Sequence, residues 1–154
     1  MNYLKELKNK TSSKNSRICI IGLGYVGLPL CIGFLEKGFP VIGIDIDENK
    51  IKSLKQGTPY IKHLNQTVLQ ESINSENLSV TSNFSQISSA DSIILCIPTP
   101  LNRHREPDTS YIQNTINSIL PYIKKGQLIS LESTTYPGTT EELVAKPITD
   151  KGFI

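Results

Sequence analysis

The sequence predicts an α/β fold, a doubly wound parallel sheet with helices on both of its faces. Three observations support this prediction. Short runs of branched apolar residues, typical of strands buried on both faces, alternate with stretches whose apolar residues recur at helical spacing. A glycine-rich turn joins the first apolar run, residues 17–21, to the first helical stretch, residues 26–37. The chain has 154 residues, which is enough for one domain with a core of its own.

The glycine-rich turn has the sequence Gly22-Leu-Gly-Tyr-Val-Gly27. A strand, a turn of this kind and a helix form the start of a Rossmann-type dinucleotide-binding unit. Gly22 allows the tight turn, Gly24 lets a diphosphate approach the backbone, and Gly27 lets the helix pack closely on the strand. The phosphates would lie at the helix N-terminus, where unpaired N–H groups point outward. A glycine turn in another kind of α/β domain is the alternative.

A second predicted strand, residues 40–45, ends in Asp45. Asp45 lies 18 residues after Gly27, near the spacing expected for the acid that binds the adenosine ribose of a dinucleotide. A carboxylate at this position would also repel the 2′-phosphate of NADP. The alternative is a strand-end acid that binds no ligand. The glycine turn and Asp45 together favour NAD as the cofactor.

The later elements continue the alternation of strands and helices. Strands are predicted at residues 78–81, 92–97 and 127–131, helices from residue 47, at 64–73, at 110–120 and from residue 141, and a short turn or helix at 84–88. Two prolines, Pro98 and Pro100, end the strand at 92–97 because they cannot continue a central ladder. The carboxyl ends of strands face the ligand in such a sheet, so Thr99 is placed to contact the cofactor.

Composition argues against several other functions. The net charge is only +2 and no block of Lys and Arg occurs, so we expect no nucleic-acid partner. No apolar run approaches the ~20 residues that span a bilayer, and the first residues lack the apolar core of a signal peptide. We therefore expect a cytoplasmic protein without a membrane partner. Residues 1–16 predict a flexible polar lead-in, in which Tyr3, Leu4 and Leu7 could form one face of a short helix.

Cysteine and histidine spacing predicts no metal site. Cys19, Cys31 and Cys96 fall in buried-strand or helix patterns, and we expect them to be reduced core residues. His63 has no carboxylate or cysteine at ligand spacing.

Four motifs, in order and at matching intervals, carry a family resemblance. They are Gly22-Leu-Gly-Tyr-Val-Gly-Leu-Pro29, Gly43-Ile-Asp-Ile-Asp47, Cys96-Ile-Pro-Thr-Pro-Leu101 and Leu131-Glu-Ser-Thr-Thr-Tyr-Pro-Gly-Thr-Thr-Glu-Glu142. Over residues 17–142 the chain resembles the N-terminal NAD-binding domain of the UDP-glucose/GDP-mannose dehydrogenase family. Two segments, 104–108 and 132–138, are most similar to the UDP-N-acetylglucosamine 6-dehydrogenase branch.

The resemblance implies an activity. The family oxidises the hydroxymethyl group of a nucleotide sugar to a carboxylate with two NAD+, by way of an aldehyde and a cysteine thioester. The branch implies a UDP-N-acetylhexosamine substrate, UDP-GlcNAc in the first place, and a role in surface polysaccharide synthesis. UDP-ManNAc and UDP-glucose are the alternatives. Dehydrogenases of hydroxyacids or phosphogluconate share the glycine turn but not the segment around Thr134.

The resemblance also implies roles for individual residues. The positions that match cofactor-binding residues are Gly22, Gly24, Tyr25, Val26, Gly27, Asp45, Lys50, Thr99 and Thr134. Thr134 also matches a threonine thought to orient water and to polarise groups at the reacting carbon, so it is the one catalytic candidate. The alternatives are a solvated lysine on a helix face for Lys50 and a simple turn residue for Thr134.

Family members are nearly three times as long as this chain. The resemblance places their nucleophilic cysteine, the catalytic glutamate, most of the sugar-nucleotide site and the helix that forms dimers beyond residue 154. We therefore expect residues 17–154 to be an isolated or truncated NAD-binding domain that binds NAD and does no chemistry. We expect the full-length protein to be a homodimer. The alternative from another functional class is a stand-alone NAD-sensing module.

Overall fold

The central feature of the fold is a parallel sheet. The structure, a computed structural model, describes residues 2–62, 66–101, 103 and 105–153. Within these residues the strands are β1 (Ile18–Ile21), β2 (Val41–Ile44), β3 (Leu78–Thr81), β4 (Ser92–Leu95) and β5 (Leu128–Leu131). They lie in the order β3-β2-β1-β4-β5, and every neighbouring pair is parallel.

Helices cover both faces of the sheet. They are α1 (Tyr3–Ser12), α2 (Gly27–Glu36), α3 (Glu48–Lys55), α4 (Gln66–Ile73), α5 (Ser110–Ile119) and α6 (Lys146–Asp150), the last preceded by a π-helical turn at Thr140–Ala145. Short 3₁₀ helices occur at Phe84–Ser89 and Leu120–Tyr122. One apolar cluster joins the sheet to α2, α3 and α4, and the other joins it to α5 and the π-helical turn. The predicted doubly wound α/β fold is confirmed.

The register of the strands decides where the functional edge lies. Ile21 at the end of β1 pairs with Ile44 of β2 and with Leu95 of β4, and Leu95 pairs with Leu131 of β5. All four strands therefore end at the same level. The residue that follows each strand lies at one common carboxyl edge, which brings the glycine turn level with Asp45.

The N-terminal segment differs from a lead-in without regular structure, because ten of its residues form α1. The Asn2 side chain caps this helix by accepting from the N–H of Lys5. The Lys10 ammonium donates to Asp91 Oδ1 at 2.7 Å, and Asp91 Oδ2 accepts from the N–H of Arg17 at 2.8 Å. The bond to Asp91 raises the pKa of Lys10. One carboxylate thus holds α1 against the amino edge of the sheet, a contact between residues 81 positions apart that local sequence does not reveal.

Observed and predicted boundaries agree within two residues for most elements. The strand predicted at 92–97 ends earlier, at Leu95, because the ladder with β5 stops there. The helix predicted at 64–73 runs over Gln66–Ile73, and its predicted start at Leu64 lies outside the described residues. Among the residues with described structure, no helix is long and apolar enough to cross a membrane.

Candidate functional site

A cleft of about 810 Å³ opens at the carboxyl edge of the sheet. It brings together eight of the nine residues predicted to contact a cofactor: Gly22, Gly24, Tyr25, Val26, Asp45, Lys50, Thr99 and Thr134. These residues lie in the segments that follow β1, β2, β4 and β5. The ninth, Gly27, lies beneath the turn at the start of α2 and does not line the cleft.

The three glycines of the turn have different surroundings. Gly22 has a φ of +94°, and a Cβ added there would collide with the carbonyl oxygen of Cys96. A Cβ on Gly27 would collide with the carbonyl oxygen of Gly22. A Cβ on Gly24, in contrast, would meet no atom within 4 Å. The fold itself therefore requires Gly22 and Gly27, whereas Gly24 faces open space in the cleft.

The turn presents backbone donors to this open space. Tyr25 and Val26 are 75% and 59% exposed, and both line the cleft just before α2 begins at Gly27. Within the described residues, no hydrogen bond uses the N–H of Gly24, Tyr25 or Val26. Free N–H groups at the start of a helix bind anions, because the helix dipole adds partial positive charge there. The geometry suits a diphosphate.

Asp45 is more enclosed than a simple strand-end acid. Only 5% of the residue is exposed. Its Oδ2 accepts from the N–H of Leu23 at 2.8 Å and from Lys50 Nζ at 3.0 Å, and its Oδ1 accepts from the N–H of Asp47 at 2.9 Å. A carboxylate has about four acceptor sites, so room for one more donor is left. Lys50 partly neutralises the charge of Asp45 and is itself part of the cleft wall.

Thr99 and Thr134 lie together at the other end of the cleft. Thr99 Oγ1 donates to the carbonyl oxygen of Thr134 at 2.6 Å, which links the loops after β4 and β5. The hydroxyl of Ser133 makes two bonds to Ile97, accepting from its N–H at 3.2 Å and donating to its carbonyl oxygen at 2.8 Å. Sequence reasoning singled out Thr134 in this segment but missed the role of Ser133. The sequence feature that could have indicated this role is the position of Ser133, directly before Thr134 and just after a strand.

An apolar wall of the cleft was also missed. Ile46 is 74% exposed directly after Asp45, and Phe84 and Tyr111 face the same cleft. Apolar and aromatic surface beside a few fixed polar groups is typical of sites that take flat organic rings. The signal for Ile46 was an apolar side chain placed between two acids, Asp45 and Asp47, immediately after a strand.

The cysteines are poorly suited to be nucleophiles. Cys19, Cys31 and Cys96 are buried and unpaired, as predicted. Burial raises the pKa of the Cys96 thiol to about 11 and that of Cys19 to about 12, and it also raises the pKa of Cys31. Nucleophilic cysteine chemistry requires the thiolate. At neutral pH these thiols stay protonated.

No cluster of three or more His, Cys, Asp or Glu able to hold a metal ion occurs in the described part of the chain. His63 and His104 lie outside it. Arg105 has a φ of +62° in the polar loop before α5. The structure does not bring Arg105 into the cleft wall.

The order of the groups along the edge fits an extended dinucleotide. The sheet order places Asp45 after β2, the glycine turn after β1, Thr99 after β4 and Thr134 after β5. Strand spacing is about 4.8 Å, so these four strand ends span about 14 Å. A carboxylate at one end, free N–H groups in the middle and hydroxyls at the other end match a ribose, a diphosphate and a second nucleoside in sequence.

Comparison with known sequences gives a consistent family assignment. The family model described as "UDP-glucose/GDP-mannose dehydrogenase family, NAD binding domain" matches residues 16–152. The UDP-N-acetyl-D-mannosamine dehydrogenase of Methanococcus vannielii is 41% identical over 135 residues, which cover 84% of this chain and 31% of that protein. The UDP-N-acetyl-D-glucosamine 6-dehydrogenase of Pseudomonas aeruginosa is 36% identical over 129 residues, 84% of this chain and 30% of that protein.

Solved structures give the same result. The UDP-N-acetyl-mannosamine dehydrogenase of Staphylococcus aureus superposes with a TM-score of 0.83 at 36% identity, over 90% of this chain and 34% of that one. A ternary complex of GDP-mannose dehydrogenase from Pseudomonas aeruginosa has a TM-score of 0.80 at 30% identity, over 87% and 32%. The chain spans about a third of the length of the relatives that it matches.

Proposed function

This chain belongs to the UDP-glucose/GDP-mannose dehydrogenase family, as its NAD-binding domain, and we propose that the whole protein oxidises the C6 hydroxymethyl group of a UDP-N-acetylhexosamine to a carboxylate. Two NAD+ and one water are consumed, because the change from alcohol to acid requires two hydride transfers and one hydrolysis. The product would serve surface polysaccharide synthesis. The relatives that support this substrate class include dehydrogenases of UDP-N-acetyl-D-mannosamine and of UDP-N-acetyl-D-glucosamine.

The observation that carries the proposal is the order of groups along the carboxyl edge. We assign the adenosine ribose to Asp45 and Lys50, and the diphosphate to the N–H groups of the turn at residues 24–26. The nicotinamide half is assigned to Thr99 and Thr134. NAD+, when bound, supplies the hydride acceptor. The chain's own residues orient it and fix which end of the cleft the sugar must approach.

Thr134 is proposed as a catalytic residue. Its carbonyl oxygen is already held by Thr99, which fixes the backbone, while its side chain is exposed at the cleft wall. Within the described residues, no hydrogen bond uses the Thr134 hydroxyl. It is therefore available to orient a water molecule or the reacting hydroxyl of a sugar held against the nicotinamide end.

We propose that the chain described here binds NAD but does not turn over. The thioester step needs a thiolate, and the buried cysteines of this chain stay protonated. The nucleophilic cysteine is proposed to lie in a part of the protein beyond this chain. Calorimetric titration of the 154-residue chain with NAD+ tests the first statement. No binding at millimolar NAD+ would contradict the cofactor assignment for the isolated domain.

Turnover by the full-length protein tests the substrate. NADH formation is followed by absorbance with UDP-GlcNAc, UDP-ManNAc and UDP-glucose, each at the same concentration. The expected result is two NADH per sugar with one of the N-acetylhexosamines and little with UDP-glucose, and the preferred epimer then names the enzyme. NAD+ binding without turnover of any of the three would instead favour an NAD-sensing module.

The assembly and location of the whole protein are proposals of the same kind. We propose a homodimer that acts in the cytoplasm, where NAD+ and nucleotide sugars are both present. Light scattering of the full-length protein tests the dimer, and cell fractionation with activity measurement tests the location. A monomer with full activity would contradict the first of these proposals.

A further inference from the structure

Leu23, which lies between the first two glycines of the turn, is held at three points. Its N–H donates to Asp45 Oδ2 at 2.8 Å, and its carbonyl oxygen accepts from the hydroxyl of Tyr60 at 2.6 Å. Its side chain is fully buried and packs over Gly43 of β2, where an added Cβ would meet Leu23 Cδ2 at 3.0 Å. Two different side chains thus hold one residue of a loop that leaves most of its other N–H groups free.

The bond to Tyr60 has a geometric consequence for the next residue. The carbonyl of Leu23 and the N–H of Gly24 belong to the same peptide group. The structure contains no cis peptide bond among its described residues, and in a planar trans peptide the C=O and N–H point in opposite directions. When Tyr60 fixes the carbonyl on the buried side of the turn, the Gly24 N–H is fixed toward the other side. That side is the cleft, which Gly24 lines.

Tyr60 is suited to this task by its surroundings. It follows α3 in the stretch Gly57-Thr-Pro-Tyr60 and packs, half-buried, against the apolar cluster below the turn. Burial, followed by the negative charge of Asp45, raises the pKa of its hydroxyl above the ordinary value for tyrosine. The hydroxyl therefore stays protonated and remains a donor at any working pH. Tyr60 itself does not line the cleft.

We propose that Tyr60 is a positioning residue, whose hydroxyl bond to the Leu23 carbonyl aims the Gly24 N–H at the diphosphate of the cofactor. The inference rests on the proposed NAD site and deepens it. The residue acts through the turn and makes no contact with the ligand. Loss of the Tyr60 hydroxyl should therefore weaken the binding only of ligands that carry the diphosphate.

The test compares ligands with and without a diphosphate. Tyr60→Phe removes only the hydroxyl, and Tyr122→Phe, at a tyrosine that does not line the cleft, is the matched control. NAD+, ADP-ribose and adenosine are titrated into each protein, with NMR of ¹⁵N-labelled chain to detect weak binding. Loss of one hydrogen bond predicts that Tyr60→Phe raises the Kd of NAD+ and of ADP-ribose by about three- to tenfold. Adenosine affinity should stay within twofold, and the free-state amide signal of Gly24 should shift.

The other possible results of these titrations distinguish failure of the NAD site from failure of the role of Tyr60. If the wild-type chain binds neither NAD+ nor ADP-ribose, the proposed NAD site of the isolated domain fails, and with it the premise of the positioning role. If it binds both and Tyr60→Phe binds them equally well, only the role of Tyr60 fails. A proportional loss for adenosine, or a variant that does not fold, would assign the hydroxyl to the stability of the domain and overturn the positioning role.

Discussion

Two aspartates at opposite edges of the sheet have similar bonds and different positions. Asp45, after β2, accepts from two backbone N–H groups and from Lys50. Asp91, just before β4, accepts from the N–H of Arg17 and from Lys10. Each carboxylate ties a helix or loop to the end of a strand. Only Asp45 belongs to the wall of the large cleft.

The difference shows that a carboxylate–lysine pair does not identify a site by itself. What separates the two residues is the neighbouring backbone. Beside Asp45 the turn leaves N–H groups of three residues free and opens at Gly24. Beside Asp91 the backbone donors are used, and the adjoining Gly126 is covered by the ring of Tyr3, 2.6 Å from where a Cβ would stand. The carboxyl edge opens into the cleft of about 810 Å³, whereas at the amino edge α1 leaves only a smaller cavity of about 270 Å³ beside Asp91.

The largest expected effect comes from filling the open position. Gly24→Val should weaken NAD+ binding at least about hundredfold, because the side chain would occupy the space assigned to the diphosphate and displace charge-assisted bonds. Stability should change little, since nothing lies within 4 Å of the added Cβ. Calorimetry and urea unfolding measure the two effects. Gly126→Val is the control at the amino edge, where the added side chain would collide with the ring of Tyr3. This control should lower the stability and leave the affinity for NAD+ unchanged. A folded Gly24→Val protein with wild-type affinity would rule out the diphosphate assignment.

Asp45→Ala should have the next largest effect on binding. A charge-assisted bond to a ribose hydroxyl contributes about 1.5–3 kcal/mol, so the Kd of NAD+ should rise about ten- to hundredfold. The affinity for NADP+ should fall less, because the variant also removes a negative charge facing the 2′-phosphate. Titrations with both cofactors give the ratio, and urea unfolding separates loss of binding from loss of fold. Equal affinities of the wild-type chain for NAD+ and NADP+ would contradict the assignment.

Asp91→Ala should lower the stability of the domain and leave cofactor binding unchanged. Removal of the carboxylate leaves the Arg17 N–H and Lys10 without their partner, at an expected cost of about 2 kcal/mol in unfolding free energy. Hydrogen exchange of α1 should speed up, because this carboxylate holds the helix against the sheet. The Kd of NAD+ should stay within twofold. An Asp91→Ala protein that loses cofactor affinity while α1 stays protected would break the distinction between the two edges.

Sequence patterns predicted the features that depend on neighbours along the chain. Buried strands, the glycine turn and the acid after β2 each depend on a short segment, and the parallel register then brings their ends to one edge. The cap of α3 is local in the same way, since Asp47 Oδ1 accepts from the N–H of Asn49 two residues later. At the start of α5, Asp108 Oδ1 accepts from the N–H of Ser110, whereas the side chain of Thr109 makes no capping bond.

Contacts between distant segments could not be predicted. Tyr60 reaches Leu23 across 37 positions, and Ser133 reaches Ile97 across 36. Neither pair has a periodic signal, since each depends on how two loops meet after the sheet has formed. The same holds for the Lys50–Asp45 pair, whose five-residue separation spans a strand end and a helix start. Spacing predicted Asp45 as the ribose-binding acid, and the family resemblance implied a cofactor contact for Lys50. Neither indicated that the two side chains bind each other.

The smallest expected effect is a pH dependence of stability that arises from Cys96 at the carboxyl edge. Burial raises its folded-state pKa to about 11, whereas an unfolded thiol titrates near pH 8.5. Because the folded pKa is the higher one, the stability from this thiol is fully present below about pH 8.5 and is lost as the pH rises toward 11. At pH 9.5, one unit above the unfolded value, the loss is on the order of 1 kcal/mol.

The measurement compares urea unfolding at pH 7.5 and pH 9.5, with a reductant present, for the wild type and for Cys96→Ala. The variant loses packing at both pH values, but its stability should fall less between them, because one titrating thiol is gone. Cys19 and Cys31 remain and share the same direction of shift, so both proteins should still weaken with rising pH. An identical decrease in the two proteins would mean that Cys96 ionises equally well in the folded chain. The close contact of its carbonyl with Gly22 would then not exclude water from the thiol, and the floor of the cleft would be wetter than its packing indicates.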